Sequence, residues 1–129
     1  MLEELYINNI ALIDNLKLDF KPGFNILTGE SGSGKSLIAG AISLLKGSKG
    51  DNSIIRTGAD SAEVSGIFSI NNYPEFAGWL NSKGITPEEN TLIIRRTLKS
   101  NGRGSITVQS VPLARNELVE LSSFLFDIH

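Results

Sequence analysis

A chain of 129 residues, 40% apolar and 20% charged, is long enough for one cored domain and too short for two. Its net charge of −2 makes the whole chain no electrostatic magnet for nucleic acid, so any DNA contact has to come from a local patch. Zero cysteines exclude disulfides and thiolate zinc sites, the single histidine, His129, excludes a multi-histidine metal site within the chain, and the lack of a membrane-length apolar run or a basic signal-peptide start points to a cytoplasmic protein.

In chain order, Leu2 to Ile7 is a short apolar strand candidate, and Leu16, Leu18 and Phe20 alternate with Lys17 and Asp19 as a half-buried strand does. Lys21-Pro22-Gly23 reads as a turn, and Phe24 to Thr28 as a third strand running into a glycine-rich loop. Leu37, Ile38, Ala41, Ile42, Leu44 and Leu45 then recur at helical spacing, with Gly47 and Gly50 as stop signals. Residues 47–61 are polar and irregular, and Val64, Gly66, Phe68 and Ile70 alternate as a strand.

Pro74 suits the first turn of a helix with Phe76, Trp79 and Leu80 on its buried face and Gly84 beyond its end. Thr91 to Leu98 and Ser105 to Gln109 predict a hairpin across Asn101-Gly102, Pro112 a last helix through Leu121, and Phe124 to Ile128 a strand just begun. This order predicts an α/β domain with a mixed sheet.

The chemistry is concentrated in Gly29-Glu30-Ser31-Gly32-Ser33-Gly34-Lys35-Ser36, which matches the P-loop pattern at every defined position. Glycines let the backbone curl so that its N–H groups face phosphate oxygens, and the following helix offers its unpaired N–H groups and positive dipole end. Lys35 is placed to reach the β- and γ-phosphates of ATP, and the Ser36 hydroxyl to ligate Mg²⁺. Glu30 reads as a tolerated loop position rather than a catalytic base. Residues 1–28 precede the motif with two additional strands, unlike a small kinase, and no Asn-Lys-x-Asp motif marks a GTPase.

The run Leu5-Tyr6-Ile7-Asn8-Asn9-Ile10-Ala11-Leu12-Ile13, then Leu16-Lys17-Leu18-Asp19-Phe20, Gly23-Phe24-Asn25-Ile26-Leu27-Thr28 and the P-loop, resembles the N-terminus of SMC-like ATPases, in particular the RecN-like family. Ile55-Arg56-Thr57-Gly58, Arg95-Arg96, Gly102-Arg103 and Ile128-His129 are similar to that family as well, so the resemblance spans the chain.

It implies a P-loop NTPase fold of the ABC/SMC head type, of which residues 1–129 form the N-terminal half. A coiled coil and a C-terminal half-head carrying the signature motif, the Walker B aspartate and the catalytic glutamate would lie outside. It further implies ATP and Mg²⁺ as ligands, ATP hydrolysis only in the assembled dimer of heads, and a role in DNA double-strand-break repair and recombination. Partners would be the C-terminal half-head, a second head and DNA, in the cytoplasm and on the nucleoid after damage. The catalytic set is incomplete within this chain, where Lys35 supplies charge at the phosphates.

Two other readings stay open. One is a nucleotide-gated module that clamps DNA or protein and hydrolyses little. The other is a compact NTPase or kinase in which Asp127, ending the apolar run Phe124-Leu125-Phe126, serves as Walker B; Ile128 follows it in place of the glutamate of an ABC-type site, and an ordinary strand end is the better reading of that run.

Arg95, Arg96, Lys99 and Arg103 cluster on one predicted hairpin, either against a DNA backbone or as solvated charges that discourage edge pairing. Adjacent Arg95 and Arg96 have to point to opposite faces. Lys46, Lys49 and Arg56 beyond the P-loop helix are candidate DNA or partner contacts, or a solvated loop with Lys46 favourable at a helix C-terminus. Ile10, Ala11 and Leu12 stand where SMC relatives carry polar groups, so no adenine or ribose contact is assigned. Trp79 and Phe76 read as core rather than as a stacking platform.

Overall fold

The computed structural model describes residues 1–20, 32–71 and 73–126, with the side chains of residues 32–35 excepted. The predicted turn at 21–23 and strand at 24–28 lie outside the described residues.

β1 (Leu2–Ile10) and β2 (Ile13–Asp19) form an antiparallel hairpin with Leu5 opposite Leu18 and Ile10 opposite Ile13. On its other side β1 pairs with β3 (Ser61–Ser69), which pairs with β4 (Thr91–Lys99). β5 (Ser105–Val108) and β6 (Val111–Pro112) complete the order β2-β1-β3-β4-β5-β6. Every pairing among the described residues is antiparallel.

The alternation seen in the sequence decides which face is covered. Ala62, Val64 and Phe68 of β3, and Leu92, Ile94 and Leu98 of β4, point inward and are buried. The opposite face carries Tyr6, Ile93, Glu63 and Arg95 and remains open to solvent among the described residues.

The helix α1 (Gly32–Leu45) lies on the inner face, burying Ala41, Leu44 and Leu45 against β3 and β4. Each buried leucine contributes about 1.5–3 kcal/mol. Gly66 permits this approach. A Cβ there would lie 2.7 Å from Leu45 Cδ1 and 2.9 Å from Phe68 Cε1.

α2 (Pro74–Ser82) and α3 (Arg115–Leu125) finish the core through an aromatic cluster. Phe76 and Phe124 stack with ring centroids 4.8 Å apart, Trp79 lies 6.0 Å from Phe124, and Phe126 meets Phe68 edge-on at 5.4 Å. Phe76 is buried and Trp79 half-buried, with its Nε1 donating to Glu120, which agrees with the reading of both as core.

Two expectations are corrected here. Pro112 does not open the last helix; it sits in β6 opposite Thr107, on the outermost strand, where its missing N–H removes no ladder bond. The helix starts at Arg115 and continues to Leu125, so Phe124 and Leu125 belong to its last turn and not to a nascent strand. Leu118, Leu121 and Leu125 keep helical spacing, and the stacking of Phe124 on Phe76 outweighs the strand preference of the run. Asp127 lies outside the described residues, and the apolar run before it is not a strand, as a Walker B reading requires.

Candidate nucleotide site and the P-loop helix

Of the P-loop, Gly29, Glu30 and Ser31 lie outside the described residues. Gly32, Ser33, Gly34 and Lys35 form the first turn of α1 by their backbone, and Ser36 follows with an exposed side chain. The helix therefore begins inside the motif, as the phosphate-binding arrangement requires. Its first turn contains no acidic residue, which suits an anion at the N-terminal N–H groups. An exposed Ser36 hydroxyl at this helix start is compatible with an Mg²⁺–ATP ligand.

The other end of α1 is fixed in more detail than the sequence suggested. Gly47 N–H donates to the Leu44 carbonyl at 3.2 Å and Ser48 N–H to the Ser43 carbonyl at 3.2 Å, a Schellman pair with Gly47 at φ +98°. A Cβ on Gly47 would stand 2.5 Å from Val119 Cγ2, so glycine serves both the left-handed turn and the contact with α3.

α1 has no basic residue in its last turn, and two arginines from elsewhere supply the charge its dipole favours. Arg96 of β4, only 6% exposed, donates from Nη1 to the carbonyls of Leu44 at 2.8 Å and Ser48 at 2.6 Å. Arg115, the first residue of α3, donates from Nη1 to the Gly47 carbonyl at 3.2 Å. Burial lowers the Arg96 pKa below the ordinary guanidinium value, and the neighbouring charge of Arg115 adds to that.

The remaining basic candidates do not form one patch. Arg95 points to the open sheet face, with Nε 3.4 Å from Glu63 Oε2, so the two adjacent arginines do diverge as strand geometry demands. Arg96 is buried and gives its Nη1 to the end of α1. Lys46 Nζ lies 4.8 Å above the Phe126 ring. Lys49 is exposed, and Arg103 is exposed in the β4–β5 loop, where its N–H donates to Asn101 Oδ1 at 2.9 Å.

Arg56 has a local duty: Nη1 donates to the Leu12 carbonyl at 2.9 Å, and its N–H to that of Asn9 at 2.8 Å, fastening the β1–β2 turn. Sequence reasoning missed Arg115. The available signal was a cation at the first position of a helix, where the dipole disfavours it.

A family model described as an AAA domain matches residues 4–123. The chain is 39% identical over its whole length to the DNA repair protein RecN of Treponema pallidum (strain Nichols), covering 23% of that protein. It is 36% identical, again over its whole length, to the DNA repair protein RecN of Bacillus subtilis (strain 168), covering 22%. It thus spans about a quarter of the length of the curated relatives it matches.

Among solved structures, one from work on ATP-driven dimerization and DNA-stimulated activation of SMC ATPases superimposes with a TM-score of 0.73 at 23% identity, over 97% of this chain and 79% of that one. The fold is accordingly the α/β P-loop NTPase fold of an SMC-type head, and the expected resemblance to RecN is borne out along the whole chain. With its family model matched from residue 4 to residue 123, the chain belongs to the AAA domain family.

Proposed function

We propose that this chain is the ATP-binding part, the N-terminal half, of a RecN-like ATPase head that acts in DNA double-strand-break repair and recombination. The observation that carries the reading is the complete P-loop motif, Gly29–Ser36, running into α1 in a chain similar to RecN proteins along its entire length.

In this reading the backbone from Gly32 to Lys35 and the Lys35 ammonium hold the phosphates, and the Ser36 hydroxyl holds Mg²⁺. The metal, when bound, offsets the charge on the phosphate oxygens. The C-terminal half-head of the same protein, a second head and DNA are the partners, in the cytoplasm and on the nucleoid after damage. Turnover belongs to the paired heads, because positioning and charge stabilisation make up most of phosphoryl-transfer catalysis and this chain supplies one side of the site. The compact alternative built on Asp127 is not favoured, since Phe124 and Leu125 end a helix.

Lys35→Ala tests the reading. Its ATP affinity, measured by calorimetry, is expected to fall at least tenfold while the circular dichroism spectrum stays that of the parent. A folded variant with unchanged affinity would remove the assignment.

A further inference from the structure

The two arginines that cap α1 each use one nitrogen for that task. Among the described residues, Nη2 and Nε of Arg96 have no hydrogen-bond partner, and neither Arg96 nor Arg115 forms an ion pair. Both line a cavity of about 340 Å³ together with Gly50, Lys99, Gly104 and Ala114.

Among the described residues no Asp or Glu lines this cavity. The nearest acid in the chain order of α3, Glu117, is occupied elsewhere. Its Oε2 meets Lys83 Nζ at 2.9 Å and its Oε1 accepts the Ala114 N–H at 2.8 Å. Two guanidiniums thus meet at one polar concavity with no carboxylate among its described lining residues, at the N-terminal end of the 11-residue helix α3.

The wall above Arg96 is shaped by an absent side chain. A Cβ on Gly50 would stand 3.3 Å from Arg96 Nη2 and 2.7 Å from Leu98 Cδ2. Glycine leaves open the approach to the guanidinium nitrogen that the helix cap does not use. A guanidinium with a free edge and a second guanidinium beside it match a tetrahedral oxyanion that accepts several hydrogen bonds at once.

We propose that this cavity is a phosphate-binding site, separate from the P-loop, built by Arg96 and Arg115 over Gly50. The phosphate is either a free ion or one unit of a nucleic-acid backbone; the chemistry of recognition is the same. Because Arg96 and Arg115 also hold carbonyls of the last turn of α1 and of the residues that cap it, an anion bound here bears on the end of the helix that starts in the P-loop.

The test uses amide NMR of the full chain in a Lys35→Ala background, which separates this site from ATP binding at the P-loop. Inorganic phosphate and a short DNA duplex are titrated in parallel, with chloride at matched ionic strength as control. Saturable shifts at Gly50, Gly104 and Arg115 are expected, and the affinity should drop at least tenfold in Arg115→Gln and in Gly50→Ala. The second variant changes no charge; it narrows the approach to Nη2 and presses on Leu98 Cδ2, so its circular dichroism spectrum has to match that of the parent.

If duplex and free phosphate displace each other, or duplex alone binds, the ligand is a backbone phosphate; if only inorganic phosphate binds, it is the free ion. No saturable shift in either titration, or shifts that both variants leave unchanged, would overturn the site.

Discussion

Replacing Arg96 with methionine isolates the work of the helix cap. Arg96 is buried, so its stem is core and its Nη1 is committed to two carbonyls. Two charge-assisted bonds, at 2.8 and 2.6 Å, are lost, each worth about 1.5–3 kcal/mol. Two terms reduce this gross loss. The Leu44 carbonyl keeps the Gly47 N–H at 3.2 Å, and methionine carries no desolvated charge while filling much of the same volume.

The net expectation is a loss of about 2–4 kcal/mol. For a domain of this size each kcal/mol shifts Tm by roughly 3–5 °C, so thermal unfolding followed by circular dichroism should move down by about 6–20 °C. Arg96→Lys should fall between the two, since an ammonium keeps the charge and cannot span both carbonyls as a guanidinium does. A methionine variant that melts at or above the parent temperature would refute the reasoning, because desolvation of the guanidinium would then outweigh its bonds.

Two further expectations concern packing and pH. Gly66→Ala should destabilise by about 1–3 kcal/mol in chemical denaturation, because its methyl would press on Leu45 Cδ1 and Phe68 Cε1 beneath the P-loop helix; an unchanged midpoint would show that α1 has room to lift. The Glu117 carboxyl is held below its ordinary value of 4.5, first by the Ala114 N–H and then by Lys83. A depressed carboxyl pKa contributes stability that is present above about pH 4.5 and lost as pH falls through the folded value. The parent should therefore lose Tm more steeply than Glu117→Gln on acidification below that point, and parallel melting curves would contradict the link.

The parts of the fold that the sequence announces are those whose cause is local. β3 and β4 alternate strictly because one face is covered by α1 and the other meets water, and that pattern is written in each strand alone. The β4–β5 loop was legible from Asn101-Gly102, with Gly102 at φ +85°. The next turn was not. Gln109 and Ser110 have φ of 50° and 67° without being glycine or asparagine.

They are held there from outside. The Gln109 Oε1 accepts the Ile93 N–H at 2.8 Å, its Nε2 donates to the Thr86 carbonyl at 3.2 Å, and its own N–H donates to the Ile93 carbonyl at 3.1 Å. Long-range bonds made the hairpin, β6 followed from it, and Pro112 became a strand residue instead of a helix start. The same competition decided residues 124 and 125, where an aromatic partner on α2 settled what the run itself left ambiguous.

The two ends of α1 put the same contrast at the site. Its start is legible because a phosphate has to be met by several groups within one turn of chain, so glycines, lysine and serine fall in one contiguous motif. Its end is held by residues 52 and 68 positions away, and nothing in the spacing of Arg96 or Arg115 announces that they meet. What each does announce is a local misfit: an arginine at an inward-facing strand position among Ile94 and Leu98, and an arginine at the positive end of a helix. Each residue violates the rule of its own element. Each violation is resolved by one feature of the tertiary structure, the ring of carbonyls left by a helix whose own last turn holds no cation. The polarity of α1 therefore has two consequences in one element. Its first turn holds no acidic residue, and its negative end draws in two guanidiniums whose residues line the cavity beside Gly50.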